Sequence, residues 1–177
     1  DEVITADLLN IGQTMNAVKG SDVVYLTVGL KYDLNVWQTQ WPIIINNVIS
    51  ACKQYKSKLV FFDNVYSYGK VDGWMREDTP INPYSKKGEA RAKVCETIMN
   101  EVDKGNLKAI IARAADFYGP NTPLSFLTVI AVQKLVAGKK AMWMGKDNVK
   151  HSFTFTPDAG KATALLGNTE KAYNQVW

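Results

Sequence analysis

Two basic side chains four residues apart, Lys87 and Arg91, are the first residues of this chain whose types and spacing suggest chemistry. They lie in a segment with helical period, where positions i and i+4 share a face. A lysine ammonium beside a guanidinium and partly out of water is disfavoured on both counts, which makes Lys87 a candidate general base. Arg91 keeps a permanent charge and a fork of donors but cannot cycle a proton. The same two residues also fit a plainer pattern, two solvated charges on an exposed first turn. His151 is the only histidine and could titrate near neutral pH, although a packed surface histidine on a strand fits equally. Tyr66 and Lys70 repeat the four-residue spacing, but Gly69 and Gly73 put them in a strand-to-loop stretch where i and i+4 do not face one another. Cys52 and Cys95 lack metal-ligand spacing and fall on apolar helix faces, so both are expected to be buried and reduced, and no metal site is expected.

The elements that must position these residues follow from hydrophobic pattern. Val23 to Leu26, Leu59 to Phe62 and Ala109 to Ala112 are short continuous apolar runs, as in strands buried on both faces. Between them, Trp41, Ile44, Ile45, Val48, Ile49 and Cys52 form one helical stripe, and Val94, Cys95, Ile98, Met99 and Val102 form another. Strand alternating with helix predicts an α/β fold, a Rossmann-like doubly wound parallel sheet with helices on both faces. Beyond it, the pattern predicts a helix over Leu124 to Ala137 ending at Gly138, a short strand at Ala141 to Met144 and a half-buried strand at His151 to Thr156. Pro157 and Asp158 then open a final helix, and Asn174 to Trp177 enter a strand.

At 177 residues and 46% hydrophobic, the chain is long enough for a full core. No apolar run approaches the roughly 18 residues that cross a bilayer, and no secretory signal pattern is present, so the expectation is a soluble cytoplasmic protein without membrane contact. The net charge of +4 is mild and the lysines are dispersed, which argues against nucleic acid as a partner. None of the 12 glycines is spaced as GxxGxxG, the turn that receives a dinucleotide pyrophosphate. The expectation is therefore a fragment, with an N-terminal βαβ unit and a C-terminal part missing from this chain.

Several motifs occur in register along the chain. They are Ala6-Asp7-Leu8, Gly20-Ser21-Asp22-Val23-Val24, Val65-Tyr66-Ser67-Tyr68-Gly69 and Glu77-Asp78-Thr79-Pro80-Ile81-Asn82-Pro83, then Arg113-Ala114-Ala115-Asp116-Phe117-Tyr118-Gly119-Pro120 and His151-Ser152-Phe153 leading to Asp158. In this order the chain, from about Val3 to Trp177, resembles the extended short-chain dehydrogenases/reductases of the NAD-dependent epimerase/dehydratase family. The resemblance implies NAD or NADP as cofactor, with Asp7 and Leu8 at the adenine and Thr27, Val28 and Ala114 along the cofactor. Thr27 and Val28 stand where the family usually has two alanines, and Trp41 where it has an asparagine, while Asn47 matches. For Asp7 a helix N-cap is the competing structural role.

The family's chemistry needs a tyrosine and a lysine four residues apart at a helix start, with a serine or threonine to orient the substrate hydroxyl. Aligning Pro83 and Gly88 with that pattern puts Lys87 at the tyrosine, Arg91 at the lysine and Asn64 at the serine/threonine position. Asparagine still donates and accepts hydrogen bonds. In this frame Arg91 holds ribose hydroxyls, and a third possibility for the pair is one that holds the cofactor without doing chemistry. Tyr66 and Tyr84 are candidates for the missing phenol, with core or rim packing as the alternative. Asp116 replaces an asparagine that touches the nucleotide-sugar, and His151 replaces an arginine near the same substrate, so a substrate other than the usual UDP- or dTDP-sugar is expected.

The resulting expectation is an NAD(P)-dependent epimerase, dehydratase or reductase acting on a nucleotide-sugar or related hydroxylated small molecule. The alternative is a catalytically inactive nucleotide-binding or regulatory module of the same superfamily. Residues 1–120 would form the later part of the dinucleotide-binding domain and 121–177 the start of a substrate-binding region. The resemblance also raises homodimerisation through the helices around Trp41 and Val94.

Overall fold

The structure, a computed structural model, describes residues 2–143, 146 and 148–177. The chain divides into two compact units, residues 1–113 with 166–177, and residues 114–165.

In the first unit, α1 (Ile11–Val18), β1 (Val23–Leu26), α2 (Leu34–Tyr55), β2 (Lys58–Asn64), α3 (Lys86–Asp103) and β3 (Ala109–Ala114) follow in order, and β6 (Gln175–Val176) completes the sheet. The strands lie in the order β1-β2-β3-β6, with β1 parallel to β2 and β3 parallel to β6. The predicted α/β parallel sheet is therefore present.

Strand alternation distributes the apolar runs to two cores. Leu59, Phe61, Ala109 and Ile111 meet the stripes of α2 and α3, namely Trp41, Ile44, Ile45, Val48, Val94, Cys95 and Ile98. The intervening Val60, Ile110 and Ala112 pack with Ala172 and Tyr173 on the opposite face. Each fully buried aliphatic or aromatic side chain contributes roughly 1.5–3 kcal/mol relative to exposure, so two-sided burial of these short runs decides the fold. Both cysteines are buried free thiols, as expected.

α2 begins seven residues before its apolar stripe, because Asp33 caps it: the Asp33 carboxylate accepts from the Val36 amide at 3.1 Å. Lys56 closes the helix in the left-handed conformation, with φ of 57°.

In the second unit, β4 (Asp116–Tyr118) pairs in parallel with β5 (Phe153–Phe155), with Asp116 opposite Phe153. The helix expected over Leu124 to Ala137 is not uniform: a π-helical segment spans Thr128–Val132 before α4 (Gln133–Val136), and Gly138 follows with φ of 68°. Of the strand expected at Ala141 to Met144, residues 141–143 form none and Met144 lies outside the described residues. The strand expected over His151 to Thr156 is shorter, because Thr156 already begins α5 (Thr156–Gly167), which runs from the second unit into the first.

Candidate active site

Two glycines set the geometry at the start of α3. A Cβ on Gly88 would stand 2.5 Å from the Tyr66 carbonyl oxygen, so only glycine lets the first turn of the helix press against the 3-10 turn Tyr66–Tyr68. Gly69 has φ of 69°, and a Cβ there would meet the Asn82 carbonyl at 2.0 Å. Ser85 caps the helix, its hydroxyl accepting from the Gly88 amide at 3.0 Å. These contacts bring the Lys87 turn to the carboxyl end of β2. The discounted Tyr66–Lys70 spacing falls on this 3-10 turn and the Gly69 bend.

Lys87 is half-buried, and its ammonium lies 3.3 Å from the centroid of the Tyr32 ring and 5.9 Å from that of Trp37. Its Nζ also lies 3.5 Å from the Tyr32 carbonyl oxygen. Tyr32 meets Trp37 edge to face at 5.6 Å, and Trp37 stacks on Tyr66 at 6.2 Å with 17° between planes. The Trp37 indole donates to the Lys31 carbonyl at 2.9 Å, which fixes the shelf to the β1–α2 loop. The Asn64 side-chain carbonyl accepts from the Tyr66 amide at 3.0 Å, turning the chain out of β2. Its amide group is the donor left to the site.

Arg91, one turn on along the same face, is turned into the core. Its side chain is 4% exposed, so of the alternatives for the pair, a solvated charge on an exposed turn does not hold for Arg91. Its Nε donates to Asp63 Oδ1 at 2.8 Å, and the guanidinium lies 4.4 Å from the Trp41 ring and 4.7 Å from the Phe61 ring. Asp63 has no exposed side-chain surface, and its second oxygen accepts from Arg113 Nε at 3.1 Å and from the Cys95 thiol at 3.0 Å. Arg113 in turn covers the Tyr68 ring at 4.6 Å. Burial, reinforced by the Asp63 charge, pushes the Cys95 thiol up to about 12.

The remaining positions distribute over both units. Asp7 is exposed, and its carboxylate accepts from the Leu9 amide at 2.9 Å. The N-cap of α1 is Asn10 and not Asp7, since Asn10 Oδ1 accepts from the Gln13 amide. The Leu8 carbonyl accepts from the Asn47 side-chain amide at 2.8 Å, so Asn47 ties α2 to this segment. Thr27 and Val28 are exposed immediately after β1, and Ala114 is buried at the end of β3. Tyr84 is exposed beside the α3 cap. In the second unit Asp116 is exposed on β4, and His151 is exposed two residues before Phe153, the register partner of Asp116. The His151 ring stands edge to face with Trp143 at 5.0 Å and stacks on Phe153 at 6.3 Å. Among the described residues no cluster of His, Cys, Asp or Glu suits a metal ion.

The structure thus ties Asn64 to Tyr66 at the end of β2, sets the turn that carries Lys87 against Tyr66, and adds Tyr32 and Trp37, which the sequence did not single out. It also makes Asp63 the partner of Arg91. One signal for Asp63 was available: it continues the inward alternation of Leu59 and Phe61, so a charge had to be buried there and needed a partner. Arg91 likewise stands on the stripe of Val94, Cys95 and Ile98, facing inward.

The carboxyl ends of β1 and β2, in register at Leu26 and Phe61, and the α3 start present a hydroxyl (Thr27), an amide (Asn64), a cation (Lys87) and an aromatic shelf. This donor set, at the strand ends where such sheets take ligands, fits the nicotinamide–ribose end of a dinucleotide.

Comparison with known proteins agrees with this architecture. The family model described as "NAD dependent epimerase/dehydratase family" matches residues 1–175. A 3beta-hydroxysteroid-dehydrogenase/decarboxylase isoform 2 from Arabidopsis thaliana is 26% identical over 172 residues, 91% of this chain and 30% of that protein. UDP-glucuronic acid 4-epimerase from Bacillus cereus in complex with NAD superposes with a TM-score of 0.84 at 21% identity, over 96% of this chain and 57% of that one. UDP-glucose 4-epimerase from Thermus thermophilus, also in complex with NAD, gives 0.78 at 18% identity, over 98% and 61%. At such identities the solved structures establish the fold, and the chain spans under a third of the plant protein and somewhat over half of the two epimerases. With the family model matched over nearly its whole length, the chain belongs to the NAD-dependent epimerase/dehydratase family of extended short-chain dehydrogenases/reductases.

Proposed function

We propose that the protein carries out NAD(P)-dependent epimerase, dehydratase or reductase chemistry on a nucleotide-sugar or related hydroxylated small molecule. The observation that carries this reading is the Lys87 ammonium, set over the Tyr32 ring and near Trp37, which stacks on Tyr66, at the helix position the family uses for its proton-handling residue. A bound nicotinamide dinucleotide would supply hydride transfer. The chain's own residues do the rest. Lys87 Nζ donates to a ribose or substrate oxygen and can pass a proton to it. The Asn64 amide orients the reacting hydroxyl, and the shelf covers the apolar face of the ligand and limits water. Tyr66 supplies a phenol beside Asn64. Asp7 and Leu8 take the adenine end, and Thr27, Val28 and Ala114 line the cofactor. Asp116 and His151 meet the substrate, and a substrate-binding part over 121–177 follows the dinucleotide-binding part over 1–120. Two copies pair through α2 and α3.

A second reading, a nucleotide-binding module without redox chemistry, is favoured by one observation: Arg91, at the family's lysine position, is ion-paired inside the core. Titration of the intact protein with NAD+, NADH, NADP+ and NADPH by calorimetry, followed by a screen of sugar-like alcohols for change in nicotinamide absorbance, separates the two. Binding with turnover supports the enzyme, and binding without turnover supports the module. Absence of binding to all four sinks both.

A further inference from the structure

We propose that Asp63 is a positioning residue of this site: it holds Arg91 back from the ligand and sets the opening turns of α3, leaving Lys87 as the cation of that helix that faces the ligand. The inference rests on the reading of the site given above and assigns roles within it.

One carboxylate ties three elements together. Asp63 stands at the end of β2, accepts from Arg91 and Cys95 on α3, and accepts from Arg113 on β3. Asn64 is the next residue, so the anchor that fixes the opening turns of α3 also fixes the backbone that presents Asn64. For Arg91 to reach a ribose it would have to leave a carboxylate with no exposed side-chain surface, together with the faces of Trp41 and Phe61. A guanidinium that is desolvated, paired and stacked has little reason to exchange those contacts for one with a mobile ligand. Lys87, one turn earlier, makes no ion pair among the described residues and rests on an exposed ring. Two guanidiniums share one carboxylate, so Arg91→Met leaves the neutral pair Asp63–Arg113 and is expected to fold.

The test uses the intact protein and has an arm that needs no ligand. Lys87 is acylated with acetic anhydride, and its rate, read by peptide mass spectrometry, is divided by that of Lys161 as an internal reference. If Asp63 and Arg91 hold the Lys87 turn, that ratio rises by roughly threefold or more in Arg91→Met and in Asp63→Asn, and Arg91→Lys brings it back towards wild type. An unchanged ratio in both variants overturns the positioning role. In the second arm, calorimetry with NAD+ is expected to show about tenfold weaker binding for Lys87→Met and less than about threefold for Arg91→Met. Equal losses would put Arg91 on the ligand and overturn the assignment. If wild type binds no nicotinamide dinucleotide, the cofactor reading falls by itself, and the acylation ratio still decides the role of Asp63.

Discussion

Lys87 and Arg91, one turn apart at the start of α3, end in opposite surroundings. Lys87 lies at the rim, on the face of an exposed tyrosine, whereas Arg91 lies among Trp41, Phe61 and Asp63 with almost no solvent contact. The helix places both on one side, so spacing alone does not separate them. What separates them is what β2 and the β1–α2 loop offer in return: a buried carboxylate to one and an aromatic ring to the other. A basic residue at a given motif position therefore takes its role from the partner across the interface, and an arginine in place of a lysine can be recruited into the core.

The comparison breaks most directly at Asp63. Asp63→Ala leaves two guanidiniums buried without a counter-charge, and breaking a buried pair in this way typically costs about 3–5 kcal/mol. Urea denaturation of the intact protein should show a loss of that size. A loss below about 1 kcal/mol would mean that Arg91 and Arg113 reach water, and the contrast between the turns would disappear.

The same cluster gives an alkaline limit. The Cys95 thiol, ordinarily near 9.0, is pushed up to about 12 by burial and by Asp63. The folded state thus keeps the proton after the unfolded chain has released it. Stability from this source is complete below pH 9.0 and falls as pH rises from there through about 12. Cys95→Ala should flatten that fall relative to wild type in denaturation curves recorded at a series of alkaline pH values, and an unchanged slope would remove Cys95 from the buried cluster.

Gly88 tests the approach of the two elements. A methyl group there meets the Tyr66 carbonyl at 2.5 Å, so Gly88→Ala should cost about 1–3 kcal/mol through overpacking, despite alanine's better helix propensity. A melting temperature equal to or above that of wild type would show that the α3 turn can retreat, and with it Lys87. Ser85→Ala removes the cap that starts the helix and should cost about 1 kcal/mol by the same measurement.

The main elements of the sheet were legible because their causes are local. Continuous apolar runs such as Leu59 to Phe62 can be buried only on both faces, and the stripes of α2 and α3 follow from helical period. The motif order singled out Asn64, Tyr66 and Lys87 as candidates. It did not carry the pairing of Arg91 with Asp63, 28 residues away, because no local pattern marks a partner across the core. Nor did it give the Tyr32–Trp37–Tyr66 shelf, whose members come from a loop, a helix and a 3-10 turn. The π-helical segment Thr128–Val132 is not distinguishable from an ordinary helix in the sequence, since about one turn is too short for its wider register to alter the apolar pattern.

The smallest stability effect belongs to the residue with the largest proposed role. Lys87 gives up a cation–π contact with a ring at the rim, and contacts of that kind are worth about 0.5–1 kcal/mol at exposed sites. Lys87→Met keeps most of the aliphatic stem against Tyr32 and Trp37, so its cost should fall at or below the low end of that range, near the resolution of a denaturation curve. This separation is what makes the variant informative. If Lys87→Met unfolds as wild type does, any loss of ligand binding it causes belongs to the ammonium itself. If it instead destabilises as strongly as Asp63→Ala, both basic residues are structural, and the ligand-facing cation has to be sought elsewhere.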